Sequence, residues 1–232
     1  KASRTANRIC RAHGGTALAC TRRVGSHEVA DQEGFVKNEQ IAELLYQALE
    51  TERGGIQVYT TALTCAANDD VIKEWEEYLE QTRNHERIVL EVMDQLGLDP
   101  ELETPGRLIV QHIGEALVEA MEMALDGGPI EAAQLVACEC VVLAETKDHL
   151  NWELIREIAE TSKGELRQTL LTACEQVEAE EDEHLYHTTG WSRELWLESL
   201  GLPAVLPPPE EERDVKTAIG VARARKARKD LL

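Results

Sequence analysis

"EEDEHLYHTTGW" (residues 180–191) lies near the end of a long helical pattern and sets Glu181 and His184 three residues apart. In a helix that spacing stacks both side chains on one face. Leu170, Ala173, Val177, Glu181, His184 and Thr188 continue the same stripe, which puts the acid and the imidazole on the inward side. An isolated buried carboxylate is costly unless it is paired, protonated or bound to a metal. Whether this face meets solvent or a metal therefore decides what the chain is.

Three further segments repeat the problem. Over residues 38–66 a stripe of Ile41, Leu45, Ala48, Ile56, Tyr59 and Leu63 has Glu52 at its centre. After the cap signal Asn68-Asp69-Asp70, a second segment runs to Gly97. Its stripe of Val71, Trp75, Tyr78, Val89 and Val92 turns Thr82 and His85 inward. Residues 130–160 place Val141, Glu145, Asp148, Trp152, Ile155 and Ala159 on one face. A shorter helix is expected over about 107–126, between Pro105 and Gly127-Gly128-Pro129. Its acidic stripe of His112, Glu115, Glu119 and Glu122 reads as solvated, opposite an apolar face of Ile109, Ile113, Ala116, Ala120 and Ala124. The expected fold is all-α: a four-helix bundle over residues 38–200 with a crossover helix, its fourth long helix running over about 165–188. Gly54-Gly55 inside the first helix predicts a bulge or a close helix approach.

Composition agrees. Of 232 residues, 43% are apolar and only 4% aromatic, a mixture that favours helices over strands. No apolar run approaches a membrane span, and no secretory pattern is seen in a chain that opens at Lys1, so the expectation is a cytoplasmic protein. The six cysteines form no C-x-x-C; Cys138 and Cys140 read as small buried helix residues, and Cys10 and Cys20 with His13 and His27 fit no common zinc spacing. The net charge of −20 is uneven: residues 1–26 hold six Lys/Arg and no acid, and residues 210–232 hold seven against five acids. Between them lie 11 basic and 39 acidic residues, which should repel nucleic acid and attract cations. Residues 1–37 are read as a basic arm and residues 201–232 as a Pro-rich linker with a basic tail, holding a short helix over about 215–229. Both ends are expected to be solvated and loosely docked, ahead of the alternative that their basic residues touch an acidic partner or the body itself.

The two halves also share a spacing. Tyr59 follows Glu52 by seven residues, as Trp152 follows Glu145; His85 trails Glu52 by 33 residues and His184 trails Glu145 by 39. "LETERGGIQVY" (49–59), "TRNHERIVLEVMDQLG" (82–97), "ETKDHLNW" (145–152) and "EEDEH" (180–184) together resemble the ferritin-like superfamily, in particular the rubrerythrin-type di-metal carboxylate bundles. The resemblance covers about residues 38–200. Such proteins take one Glu from each of two helices and a Glu-x-x-His from each of the other two. By that resemblance Glu52 and Glu145 are the single or bridging carboxylates, His85 is a terminal ligand, and Glu181 with His184 is the complete pair. Thr82 departs from the pattern, standing where a Glu is wanted. Asp148 or His149 is the substitute on hand; without one, the site holds a single metal or none.

Carboxylates and imidazoles in a bundle core suit iron or manganese, with positions left open for oxygen or peroxide. The primary expectation is an oxidoreductase reacting a di-iron or di-manganese centre with oxygen or peroxide. Metal binding or storage without turnover, and a metal-free interaction scaffold, stay open as alternatives. No nucleic-acid or membrane partner is expected, and a homo-oligomer is compatible with this reading. Tyr59 and Trp152, each two turns from a carboxylate, are read as core packing ahead of a role in supporting the ligands or quenching radicals, and His187 as a residue at the rim or just behind the ligands.

Overall fold

The computed structural model describes residues 26–232, with side chains from Glu39 onward. The basic stretch up to residue 25, with Cys10, Cys20 and His13, lies outside the described residues. Residues 37–232 form one compact unit. Among the described residues there are helices and no strand: α1 (Ser26–Cys65), α2 (Asp69–Gln95), α3 (Pro105–Gly127), α4 (Ile130–Thr161), α5 (Gly164–Ser199), α6 (Pro209–Glu212) and α7 (Ala218–Leu231). None is long and apolar enough to cross a membrane.

Helix ends follow local chemistry. Asn68 caps α2 by accepting from the Asp70 and Val71 amides, and Asp69 and Asp70 complement the dipole of the first turn. Gly97 ends α2 with φ +68, a left-handed conformation that suits glycine, while the Leu98 amide closes onto Met93 O. Thr104 caps α3, with Pro105 in its first turn.

The core falls into two apolar clusters. One joins Ile41–Leu49 of α1, Ile88–Met93 of α2, Trp152–Ala159 of α4 and Leu170–Val177 of α5. The other joins Val58–Cys65 of α1, Val71–Leu79 of α2, Met121 of α3, Ala133–Val141 of α4, and Trp191 and Leu195 of α5. The Ile41–Leu49 stretch of α1 thus meets the second halves of α2 and α4 and the first half of α5. α1 and α5 run one way and α2 and α4 the other. The inward stripes of α2, α4 and α5 are phased as the periodicity predicts; in α1 the phase drifts after Glu52, where Val58, Ala62 and Cys65 are buried and Ile56 and Leu63 only half-buried. Cys65, Cys138, Cys140 and Cys174 are free and buried.

Gly54 and Gly114 let α1 and α3 approach: a Cβ on Gly114 would stand 3.6 Å from Gly54 Cα. The acidic stripe of α3 is exposed as expected. Its apolar face is not the one the spacing indicated, because Arg107, Val110 and Met121 are buried while Ile109 and Ile113 are exposed. Arg107 sets that rotation: it bonds Glu50 Oε2 at 2.8 Å and the carbonyls of Pro100 and Leu102.

The C-terminal stretch also corrects its reading as a solvated tail. Glu210 is buried and takes both terminal nitrogens of Arg193, at 2.8 and 2.7 Å. Buried Glu194 accepts from Arg193, Arg228 and the Val205 amide at 2.6–2.9 Å. Of the basic residues of α7, Arg228 pairs with Glu194 of α5 and Arg225 lies 3.9 Å from Glu210 of α6, while Val215 and Ala224 are buried.

Gly190 is the tightest point of this docking, since a Cβ there would lie 3.0 Å from both Pro208 Cβ and Glu210 Oε2. Gly190→Ala is expected to cost about 1–3 kcal/mol, read as a lower Tm and as faster proteolysis within residues 201–208. Unchanged values on both would show that the segment is not held there.

Candidate metal centre

Between the two apolar clusters lies a layer of buried polar side chains. α1 supplies Glu52, α2 His85, α4 Glu145 and Asp148, and α5 Glu181 and His184, all buried. Two triads share Glu181: His85, Glu181 and His184 in one, Glu52, Asp148 and Glu181 in the other, each with ligand atoms within 4.8 Å of one another. His85 Nδ1 is 2.8 Å from Glu181 Oε1 and 4.0 Å from Glu52 Oε2. His184 Nδ1 is 3.5 Å from Glu145 Oε2 and 3.7 Å from Glu181 Oε1.

These contacts are short without being hydrogen bonds. Glu52 Oε2, His85 Nδ1, Glu145 Oε2, Asp148 Oδ1, both Glu181 oxygens and His184 Nδ1 are buried and have no partner. The outer nitrogens explain why. His85 Nε2 is 2.8 Å from the Glu180 carboxylate, and His184 Nε2 is 2.7 Å from Gln81 Oε1. Both oxygens accept, so each Nε2 carries a proton, and in a neutral imidazole Nδ1 then turns its lone pair toward the carboxylates. Acceptors facing acceptors in a dry core require protons or a cation between them. Ligands adjacent around one ion, with bonds near 2.1 Å, sit about 3 Å apart, a spacing the shortest of these contacts approach. The donor set of carboxylates and imidazoles could hold a metal ion.

The electrostatics agree. Burial, then the Asp148 and Glu181 charges, hold the Glu52 carboxyl well above the usual carboxylate range. Burial, then Glu181 and Glu145, do the same to Asp148. Burial and Glu145 push Glu181 up to about 8.

The five principal residues expected from sequence all lie in this layer: Glu52, His85, Glu181 and His184 in the triads, and Glu145 in neither, with its Oε2 3.5 Å from His184 Nδ1. Of the two substitutes, Asp148 joins it and His149 does not. His149 sits at the rim with Nε2 2.9 Å from Asp182 Oδ1, which raises its pKa, and belongs to neither triad. Thr82 is no ligand, because its hydroxyl donates to Tyr78 O at 2.8 Å. Trp152, read from sequence as packing, also donates its indole N–H to Glu52 Oε1 at 3.0 Å and so orients that carboxylate. Glu180 and Gln81 were missed, since nothing in the spacing of one helix reports a partner on another. His187 is buried rather than at the rim. A cavity of about 440 Å³ between α4 and α5 reaches the layer at Glu181 and Trp152.

Comparison with protein-family models, curated proteins and solved structures finds no match for this chain.

Between pH 4.5 and about 8, folded metal-free protein keeps a Glu181 proton that the unfolded chain has released. Its stability should therefore fall as pH rises through that window, by up to about 1.4 kcal/mol per pH unit. Thermal melts in chelator are expected to show this slope, and Glu181→Gln to flatten it. A chelated wild type whose Tm rises over the same window would contradict the assignment.

Proposed function

We propose that residues 38–200 are a ferritin-like four-helix bundle holding iron or manganese, two ions per chain, and that the protein is an oxidoreductase acting on oxygen or peroxide. The observation that carries this reading is the set of unpartnered acceptor atoms, from four helices, that face one another in the buried layer. The helix directions support it. Residue 95 and residue 130 lie at opposite ends of the helix set, and α3, about 35 Å long at 1.5 Å per residue, is of a length to carry the chain back as a crossover. The sequence resemblance supports it further.

Glu181, which belongs to both triads, is the bridging candidate, and Asp148 takes the role left vacant at Thr82. When bound, iron or manganese supplies the redox couple and the open coordination positions for oxygen or peroxide. The chain's own residues prepare that chemistry. Glu180 and Gln81 hold the imidazoles in the tautomer that presents Nδ1, Trp152 fixes the orientation of Glu52, and the two apolar clusters exclude water. The Tyr59 hydroxyl is buried without a partner beside this layer, its pKa raised by burial and Glu145. The cavity at Glu181 and Trp152 is wide enough for a small oxidant.

Metal analysis of protein grown with iron and manganese, followed by oxygen-uptake and peroxide-consumption assays, tests the proposal. Two equivalents of metal are expected, with turnover reduced at least tenfold or so in Glu181→Ala. Bound metal without turnover identifies a binding or storage protein, and one equivalent shows that Asp148 does not replace the missing Glu. A metal-free protein after such growth identifies a scaffold and sinks the reading.

A further inference from the structure

A second group of buried polar atoms lies outside the centre, where α6 meets α2 and α5. Glu74 of α2, His187 of α5 and Glu211 of α6 line a cavity of about 180 Å³ that opens at exposed Asp70 and Lys73. Five carboxylates face it (Asp70, Glu74, Glu77, Glu183 and Glu211) against one lysine, Lys73. Of these, Glu183 is already ion-paired with Lys216.

The hydrogen bonds inside the cavity fix what each atom offers. Tyr78 donates its hydroxyl proton to Glu74 Oε1 at 2.6 Å. With its proton so placed, the hydroxyl can only accept from His187 Nδ1, 3.0 Å away. Neutral His187 therefore has its lone pair on Nε2. That nitrogen is buried and unpartnered, as are Glu74 Oε2 and Glu211 Oε2. His187 is 6% exposed and Glu74 9%, so water does not readily satisfy either. Three acceptors line one acidic cavity, and the Trp191 indole N–H beside Glu211 is the donor on hand.

We propose that Glu74, Glu211 and His187 form a second divalent-cation site, separate from the candidate metal centre, which fastens α6 to α2 and α5. The three groups are not gathered as tightly as the triads of the centre. The ion therefore keeps part of its water and reaches at least one group through it, as hard divalent cations commonly do. The cavity has room for this, since a water takes about 30 Å³. Burial and the Glu74 charge push the Glu211 carboxyl up to about 7, the repulsion expected of two carboxylates with no counter-ion between them. A proton shared by Glu74 and Glu211 is the competing way to relieve it.

The test is Mn²⁺ binding to the full chain by equilibrium dialysis near pH 8, in a Glu181→Ala/His184→Ala background that silences the centre. One Mn²⁺ should remain, and adding Glu211→Gln or Glu74→Gln should weaken it about tenfold or more with helicity by circular dichroism unchanged. Both substitutions keep side-chain shape and remove a buried charge, so folding is preserved. A background that binds no Mn²⁺, or one whose binding survives both Gln substitutions undiminished, overturns the proposal and leaves the shared proton. The wild type separates this result from the fate of the centre. Binding sensitive to Glu181→Ala but not to Glu211→Gln belongs to the centre alone, and the reverse belongs to this site alone.

Discussion

The polar layer at mid-height is the constraint on which the rest of the molecule depends. Six ligand-type side chains from four helices are shut away from water between two apolar clusters. Apolar burial on both sides supplies the folding free energy, at roughly 25 cal/mol per Å². The layer itself opposes folding until its acceptors are matched by protons or a cation. A buried layer of this kind is more readily explained by an ion it could hold than by what it stabilises. The helices must also hold their rotation to within a fraction of a turn, because 100° of error on any one would move its ligand to the surface.

The side chains just outside the layer make it directional. Glu180 and Gln81 occupy the far nitrogens of His85 and His184, so a neutral imidazole at either place turns a lone pair inward. The two partners differ, one a carboxylate and one an amide. Trp152 holds Glu52 from α4, and Asn151 Nδ2 donates to Thr51 Oγ1 at 2.9 Å one residue earlier. The α1–α4 contact is thereby pinned beside the ligands.

Charge explains the C-terminal stretch. The body is strongly acidic, and α7 carries a run of Arg and Lys. Partly buried ion pairs with Glu194 and Glu210 convert a soluble-looking tail into a packed element, with bidentate geometry at Arg193 and Glu210 of the kind that exceeds a surface pair. This docking brings Glu211 to Glu74 and His187, so the second acidic cavity exists only because the tail folds back.

Periodicity by itself determined the helix content, the inward stripes of α2, α4 and α5 and five of the six residues named with the centre, because a 3.6-residue period states which side chains share a face. The sixth, Asp148, was legible only as an alternative to His149: adjacent residues point 100° apart, and neighbouring helices decide which one is inside. The rotation of α3 was misread for a related reason. An amphipathic helix with an acidic stripe leaves its exact facing to contacts such as Arg107 with Glu50, and these join residues far apart in sequence. Glu180, Gln81, the indole bond of Trp152 and the docked tail were settled by tertiary structure alone. Each is an interaction between elements, and a spacing rule within one helix carries no information about what the next helix brings to meet it.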